Sequence, residues 1–236
     1  MPVERVESGI PGLDNLIEGG FVKNSVNLVA GQTGTGKTLF CMQYLLNGLK
    51  KGENGLYITL EQREDEILQD VGRFGWDAEF QKYMKAGKLA LVPLEPTGMK
   101  ELTTATVNYA KKVNAKRLVL DSLSIATMGW KVGEMDVTKI RAEVFSFMKS
   151  LKSLGVTTLL ITEIPETDVK ALSRFGFEEF LADAIIKLHY LGIGEAAYNN
   201  IEIRKMRRTA HAKGTFPLEF TKEGLKLSAE KGKLHF

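Results

Sequence analysis

The run Gly31-Gln32-Thr33-Gly34-Thr35-Gly36-Lys37-Thr38 fills the pattern G-x-x-x-x-G-K-[ST] in full, and its surroundings leave the chain few ways to fold. β-prone residues from Ser25 to Ala30 precede it and a helical pattern opens at Lys37, so the octet joins a strand to a helix. In that setting the glycines let backbone N–H groups converge on phosphate oxygens, and the helix N-terminus adds about half a positive charge aimed at the same point. Thr33, Gly34, Thr35, Gly36, Lys37, Thr38 and Leu39 form the expected nucleotide cradle. Lys37 would reach the β and γ phosphates and the Thr38 hydroxyl would coordinate Mg2+.

A strand–loop–helix start of this kind needs a parallel sheet behind it, and the remaining pattern supplies one. Short β-rich runs (Gly55 to Leu60, Leu89 to Val92, Arg117 to Asp121, Val156 to Thr162) alternate with helical patterns near Arg63 to Arg73, Lys100 to Lys111 and Val137 to Leu154. That alternation predicts an α/β fold with a mostly parallel sheet between helices. In the last helix Ile140, Val144, Phe147, Met148 and Leu151 recur at three- and four-residue spacing and read as core. From Ile185 onward the runs Ile185 to Leu191, Ile201 to Arg207, Phe216 to Phe220 and Leu225 to Leu227 follow without helices between them, which predicts antiparallel strands added at one edge. With no linker, repeat or low-complexity tract, residues 1–236 read as one domain.

Composition narrows the function by exclusion. The 32 basic and 29 acidic side chains leave a net charge of only +3, so any anion-binding surface is local rather than global. No window resembles a membrane span or a secretory signal, and a cytoplasmic location is expected. The single cysteine, Cys41, can make neither an internal disulfide nor a zinc site and reads as a buried thiol in a helix.

Three further groups suit phosphate chemistry. Four β-prone positions run into Asp121, which would emerge where ligands bind in open α/β sheets and serve as the second magnesium anchor. Glu61 ends the run Tyr57-Ile58-Thr59-Leu60, 24 residues after Lys37. A glutamate at that strand tip can act as general base toward water. In the basic stretch Arg204-Lys205-Met206-Arg207, Lys205 and Arg207 lie two apart on a strand and share a face. They suit one phosphate group, either the chain's own or a neighbour's, and spacing does not separate the two. The Asn-Lys-x-Asp pattern that reads guanine is absent, which favours ATP.

The chain resembles the KaiC-like branch of the RecA superfamily of P-loop ATPases, which includes archaeal recombinase paralogues, over nearly its whole length. The resemblance is carried by Ser8-Gly9-Ile10-Pro11-Gly12-Leu13-Asp14, Gly19-Gly20, the phosphate loop, Phe74-Gly75-Trp76-Asp77, Leu120-Asp121-Ser122, Glu178-Glu179-Phe180 with Asp183, and Lys205-Met206-Arg207 with His211. It implies an ATPase whose sites lie between subunits of a ring, usually a hexamer, or of a filament. Lys205 and Arg207 would then contact the γ phosphate across the interface, with Thr209 and His211 near the same nucleotide. Glu61 takes the place of the catalytic glutamate, and Thr162-Glu163 that of the γ-phosphate sensors. Recombinase relatives bind single-stranded DNA through loops that here hold Trp130, Lys131, Lys170 and Arg174. The rival expectation is a nucleotide-gated module for a protein partner. Departures limit the transfer: one domain stands where the clock protein has two, Gln62 stands where many relatives carry a second glutamate, and Glu179 and Phe180 fall near the clock protein's phosphorylated Ser-Thr pair, so autokinase activity of that type is not expected.

Overall fold

The computed structural model describes residues 2–96, 98–126, 137–168, 170–193 and 196–228. In chain order its elements are Arg5–Val6 (β1), Leu13–Leu16 (α1), Phe21–Val22 (β2), Val26–Gly31 (β3), Lys37–Lys50 (α2), Gly55–Thr59 (β4), Glu64–Gly72 (α3), Asp77–Lys85 (α4), Leu89–Pro93 (β5) and Met99–Val113 (α5). Arg117–Asp121 (β6), Leu123–Ala126 (α6), Val137–Ser153 (α7), Thr157–Glu163 (β7), Glu178–Leu181 (α8), Ala184–Ile193 (β8), Ala196–Met206 (β9), Thr215–Thr221 (β10) and Gly224–Leu227 (β11) complete it.

One sheet runs β11-β10-β9-β8-β3-β7-β6-β4-β5, and β1 and β2 form a separate antiparallel pair. Strands β5, β4, β6, β7, β3 and β8 are mutually parallel, while β9, β10 and β11 return antiparallel. The expected antiparallel edge is therefore present, except that its first member, β8, joins β3 in parallel and only then turns back as β9. Side chains alternate between the faces of each strand, and in β3, β4, β6 and β7 both faces are buried. In β6, Leu118 and Leu120 pack into the layer of α5 and α7, whereas Val119 packs into the layer of α2, α3 and α4. All five apolar positions read as core in α7 are buried there, and Cys41 is buried in α2 with its thiol pKa well above the ordinary value because burial penalises the thiolate.

Helix α4 and the short α1, α6 and α8 were outside the pattern reading. Helix α4 buries only Phe80 and carries Asp77 and Glu79 in its first turn and Lys82 and Lys85 in its last, so charge placement against the helix dipole supports it more than an apolar stripe. No helix among the described residues is long and apolar enough to cross a membrane.

One polar contact fixes how α2 meets the sheet. Arg117, at the start of β6, is buried beneath α2 with its guanidinium 4.5 Å from the Tyr44 ring centre. It donates to the Tyr44 carbonyl at 2.7 Å and the Glu7 carbonyl at 2.9 Å, and pairs with Glu53 at 2.5 Å. A buried cation is tolerable only when paired and hydrogen-bonded in this way. Gly48 makes the room: a Cβ there would lie 2.3 Å from Arg117 Nε. Because the guanidinium is held on several sides, Gly48→Ala is expected to cost about 1–3 kcal/mol of stability, read as a lower urea midpoint at unchanged slope.

Candidate nucleotide site

Parallel pairing brings the ends of β3, β4, β6 and β7 to one edge of the sheet. There β3 feeds the phosphate loop, β4 runs out toward Glu61, and β6 and β7 end at Asp121 and Glu163. Gly36 closes the loop at φ 89°, a conformation that side chains rarely adopt. A Cβ at this position would also stand 2.6 Å from Cζ of Phe220, whose half-exposed ring on β10 flanks the loop. Lys37 Nζ donates to the Gln32 carbonyl at 2.8 Å, and burial lowers its pKa against the opposing pull of Glu163, Asp121 and Glu61.

Asp121 is the buried anion of the site. Its Oδ2 accepts the Thr38 hydroxyl at 2.9 Å and the Tyr57 hydroxyl at 2.6 Å. Burial raises its pKa even so, since the two hydrogen bonds and Lys37 offset only part of the desolvation. The donor set fits magnesium: Thr38 and Asp121 give hard oxygens side by side, while no three His, Cys, Asp or Glu side chains cluster into a cage among the described residues. Mg2+ held by few protein oxygens completes its shell with water and phosphate.

Glu61 lies at the rim, where its Oε1 accepts the Ser122 hydroxyl at 3.0 Å. Partial desolvation raises its pKa, opposed by that hydrogen bond, and the charges of Asp121 and Glu163 raise it further. Gln62 turns away to Asp70 at 2.9 Å. The Glu163 amide donates to Ser124 Oγ at 2.9 Å, and the buried Thr162 hydroxyl, beside Ala30, is without a hydrogen-bond partner. A cavity of about 370 Å3 opens between the phosphate loop and α3, lined by Gly34, Thr38, Leu39, Ile67, Asp70 and Arg73. A larger, shallower depression of about 740 Å3 runs along α5, away from all of these groups, and depth of chemistry rather than volume identifies the site.

The remaining cations lie elsewhere. Because β9 runs antiparallel to β8, Met206 pairs with Ala184, which is level with Asn27 at the start of β3. Arg207 therefore stands at the opposite edge of the sheet from the phosphate loop, separated by the five steps from Val26 to Gly31, about 16 Å of strand. Lys205 and Arg207 are thus not brought together with the chain's own phosphate loop. Thr209 and His211 are with them: Thr209 Oγ1 accepts Arg5 Nη1 at 2.6 Å, His211 Nδ1 contacts the Ala212 carbonyl at 3.0 Å, and the Ala212 amide donates to Leu16. Of the residues expected to meet DNA, Trp130 and Lys131 lie outside the described residues, Lys170 is exposed, and Arg174 faces Glu163 at 3.9 Å.

Three residues of the site have no role assigned from the sequence. Tyr57 reads as one more aromatic in a buried run, Ser122 as a residue after the strand, and Phe220 as a strand residue distant in sequence.

Residues 6–232 match the family described as "ATPase: KaiC". Among curated proteins, the circadian clock protein KaiC3 of Synechocystis is 34% identical over 91% of this chain and 43% of its own length. The circadian clock oscillator protein KaiC of Parasynechococcus marenigrum is 32% identical over 96% of this chain and 45% of its own. The chain thus spans less than half the length of these relatives. Among solved structures, a KaiC-like protein from the hyperthermophilic archaeon Pyrococcus horikoshii superposes with a TM-score of 0.86 at 38% identity, covering 96% of this chain and all of that one.

The buried Asp121 yields a stability test. Its raised folded-state pKa means that ionisation disfavours the folded state, so stability is lost as pH rises through that pKa. Without nucleotide and in the presence of a chelator, Asp121→Asn is expected to unfold at higher urea than the parent at neutral pH. The advantage should vanish in acid, where the parent's Asp121 is protonated.

Proposed function

The chain belongs to the KaiC family of ATPases, and on that premise we propose that it binds Mg·ATP at a site completed by a second copy and hydrolyses it slowly. The observation that carries this reading is the convergence of Lys37, the Thr38–Asp121 pair and the Ser122-tethered Glu61 on one sheet edge, with Lys205 and Arg207 on the other.

The chemistry follows from these positions. Lys37 exchanges its bond to the Gln32 carbonyl for the β and γ phosphates, while loop amides and the α2 N-terminus take the remaining oxygens. Thr33 to Leu39 form the cradle. Thr38 and Asp121 would hold Mg2+, which when bound neutralises charge developing on the phosphates. Glu61 accepts the proton of the attacking water as its oxygen approaches the γ phosphorus. A carboxylate with a raised pKa is the better base near neutrality, and the Ser122 bond fixes which oxygen faces the water. The unpartnered Thr162 hydroxyl and Glu163 stand where γ-phosphate occupancy is sensed.

Lys205 and Arg207 enter a neighbour's site as trans cations, with Thr209 and His211 beside them. Head-to-tail copies arranged this way form a ring, hexameric in the family expectation, or a filament. One continuous sheet carries both edges, in keeping with a single domain over residues 1–236. A cytoplasmic location and ATP rather than GTP complete the reading. Beyond its own copies, the partner is single-stranded DNA, for which Lys170 and Arg174 on the loop after β7 are exposed cations, or a protein docked by nucleotide state.

Steady-state Mg·ATP hydrolysis across protein concentration tests the reading. Lys37→Ala should lose nucleotide binding. Glu61→Gln should bind nucleotide normally and lose about 10²- to 10⁴-fold in turnover, and Arg207→Ala should lose about 10³- to 10⁵-fold. Mixing these last two should restore turnover, since one supplies the intact site and the other the intact cation; unchanged turnover in Glu61→Gln would remove its assigned role. Stimulation by single-stranded DNA that fades with salt identifies DNA as the partner, whereas indifference to DNA with turnover rising with concentration points to a protein partner.

A further inference from the structure

Lys205 and Arg207 do not wave freely at their edge. Lys205 Nζ donates to the carbonyls of Glu179 and Ala182, both at 2.7 Å, and Arg207 Nη2 to that of Phe180 at 3.1 Å. These acceptors belong to α8 and its cap, the segment that leads directly into Asp183. Asp183, at 6% exposure, lies at the centre of the arrangement. Its carboxylate accepts the Val26 amide at 3.0 Å and Lys152 Nζ at 2.9 Å, and stands 3.6 Å from Arg207 Nη1. Its backbone is engaged as well: its amide donates to the Val26 carbonyl at 2.7 Å and its carbonyl accepts the Arg207 amide at 2.9 Å.

We propose that Asp183 is the positioning residue for the two trans cations, holding Lys205 and Arg207 in the pose that enters the neighbouring subunit's phosphate site. The inference rests on the trans reading above. Two cations touch the one carboxylate, Lys152 at 2.9 Å and Arg207 at 3.6 Å, while Lys205 is held by the carbonyls of the segment that Asp183 anchors; the Glu179 side chain is turned to Ser173, and Glu178 accepts Ser173 Oγ at 2.8 Å and the amides of Phe175 and Phe177. One carboxylate cannot neutralise both cations that touch it, so Asp183 keeps Lys152 and Arg207 from repelling one another apart while leaving net positive charge for an arriving phosphate. Arg207, half exposed, is free at its outer side to meet it. The Lys205 pKa is lowered first by burial and then by Arg207 and Lys152, with Asp183 and Glu179 pulling the other way.

The alternative is that Asp183 only pins the start of β3. Subunit complementation separates the two. Asp183→Asn keeps the size of the side chain and an oxygen for the Val26 amide, and removes the charge. Alone it should bind a fluorescent ATP analogue with unchanged affinity and lose about 10²-fold in turnover, the scale of misplacing a catalytic group by an ångström. Mixed with Glu61→Gln subunits, which carry intact cations, it should regain turnover; mixed with Arg207→Ala subunits, it should not. A structural defect would instead lower both mixtures alike. Equal recovery in both mixtures, or full turnover of Asp183→Asn alone, overturns the inference. The control mixture of Arg207→Ala with Glu61→Gln must recover activity; if it stays inactive, the trans reading itself falls and takes this inference with it. If Asp183→Asn fails to fold, Asp183→Glu, which keeps the charge but displaces it by one methylene, should give the same one-sided loss in milder form.

Discussion

Strand β3 is held along both sides and at both ends, and the rest of the molecule is arranged by that grip. Strand β7 pairs with it on one flank and β8 on the other, each in parallel. Parallel neighbours must be reached by crossovers, so every strand between β3 and β5 delivers its C-terminal end to the same edge. The phosphate loop then finds Asp121, Glu61 and Glu163 beside it without any long-range search. At the other end of the same strand, Val26 is fixed by the backbone and carboxylate of Asp183.

The active edge combines groups that oppose stability. Asp121 is a carboxylate in the interior, supported by two hydroxyls and a partly buried lysine rather than by full pairing, and Gly36 adopts a backbone conformation open to few residues. The buried Arg117, by contrast, is paired, hydrogen-bonded and stacked. The contrast separates polar burial that organises the core from polar burial that is only partly compensated.

Much of this was legible in the chain because its signals are local. The phosphate loop needs only eight consecutive residues and their flanks, Asp121 needs the strand in front of it, and the α7 core needs only its own period. The expectations drawn from those patterns coincide with the sheet, the two-sided core and the placing of Asp121 beside Thr38. What escaped depends on pairing between distant segments. Tyr57 acquires its polar task only when β4 lies against β6, Phe220 only when β10 folds beside the loop, and Asp183 only when β9 returns past β8. The side on which Lys205 and Arg207 fall is set by the reversal from β8 to β9, which the helix-free runs announce, and by the pairing of β8 with β3, which they do not.

That reversal also has an arithmetic. If each subunit lends its cations from one end and receives its neighbour's at the other through a head-to-tail contact, the interface is heterologous, and two subunits joined by one such contact complete one site and leave the other open. An open row always leaves its last phosphate loop without a donor, and joining the two ends supplies the missing one. Closure then adds a whole catalytic centre at a stroke, so the fraction of working sites reports how large an assembly is and whether it has closed, a count of neighbours written in phosphate chemistry.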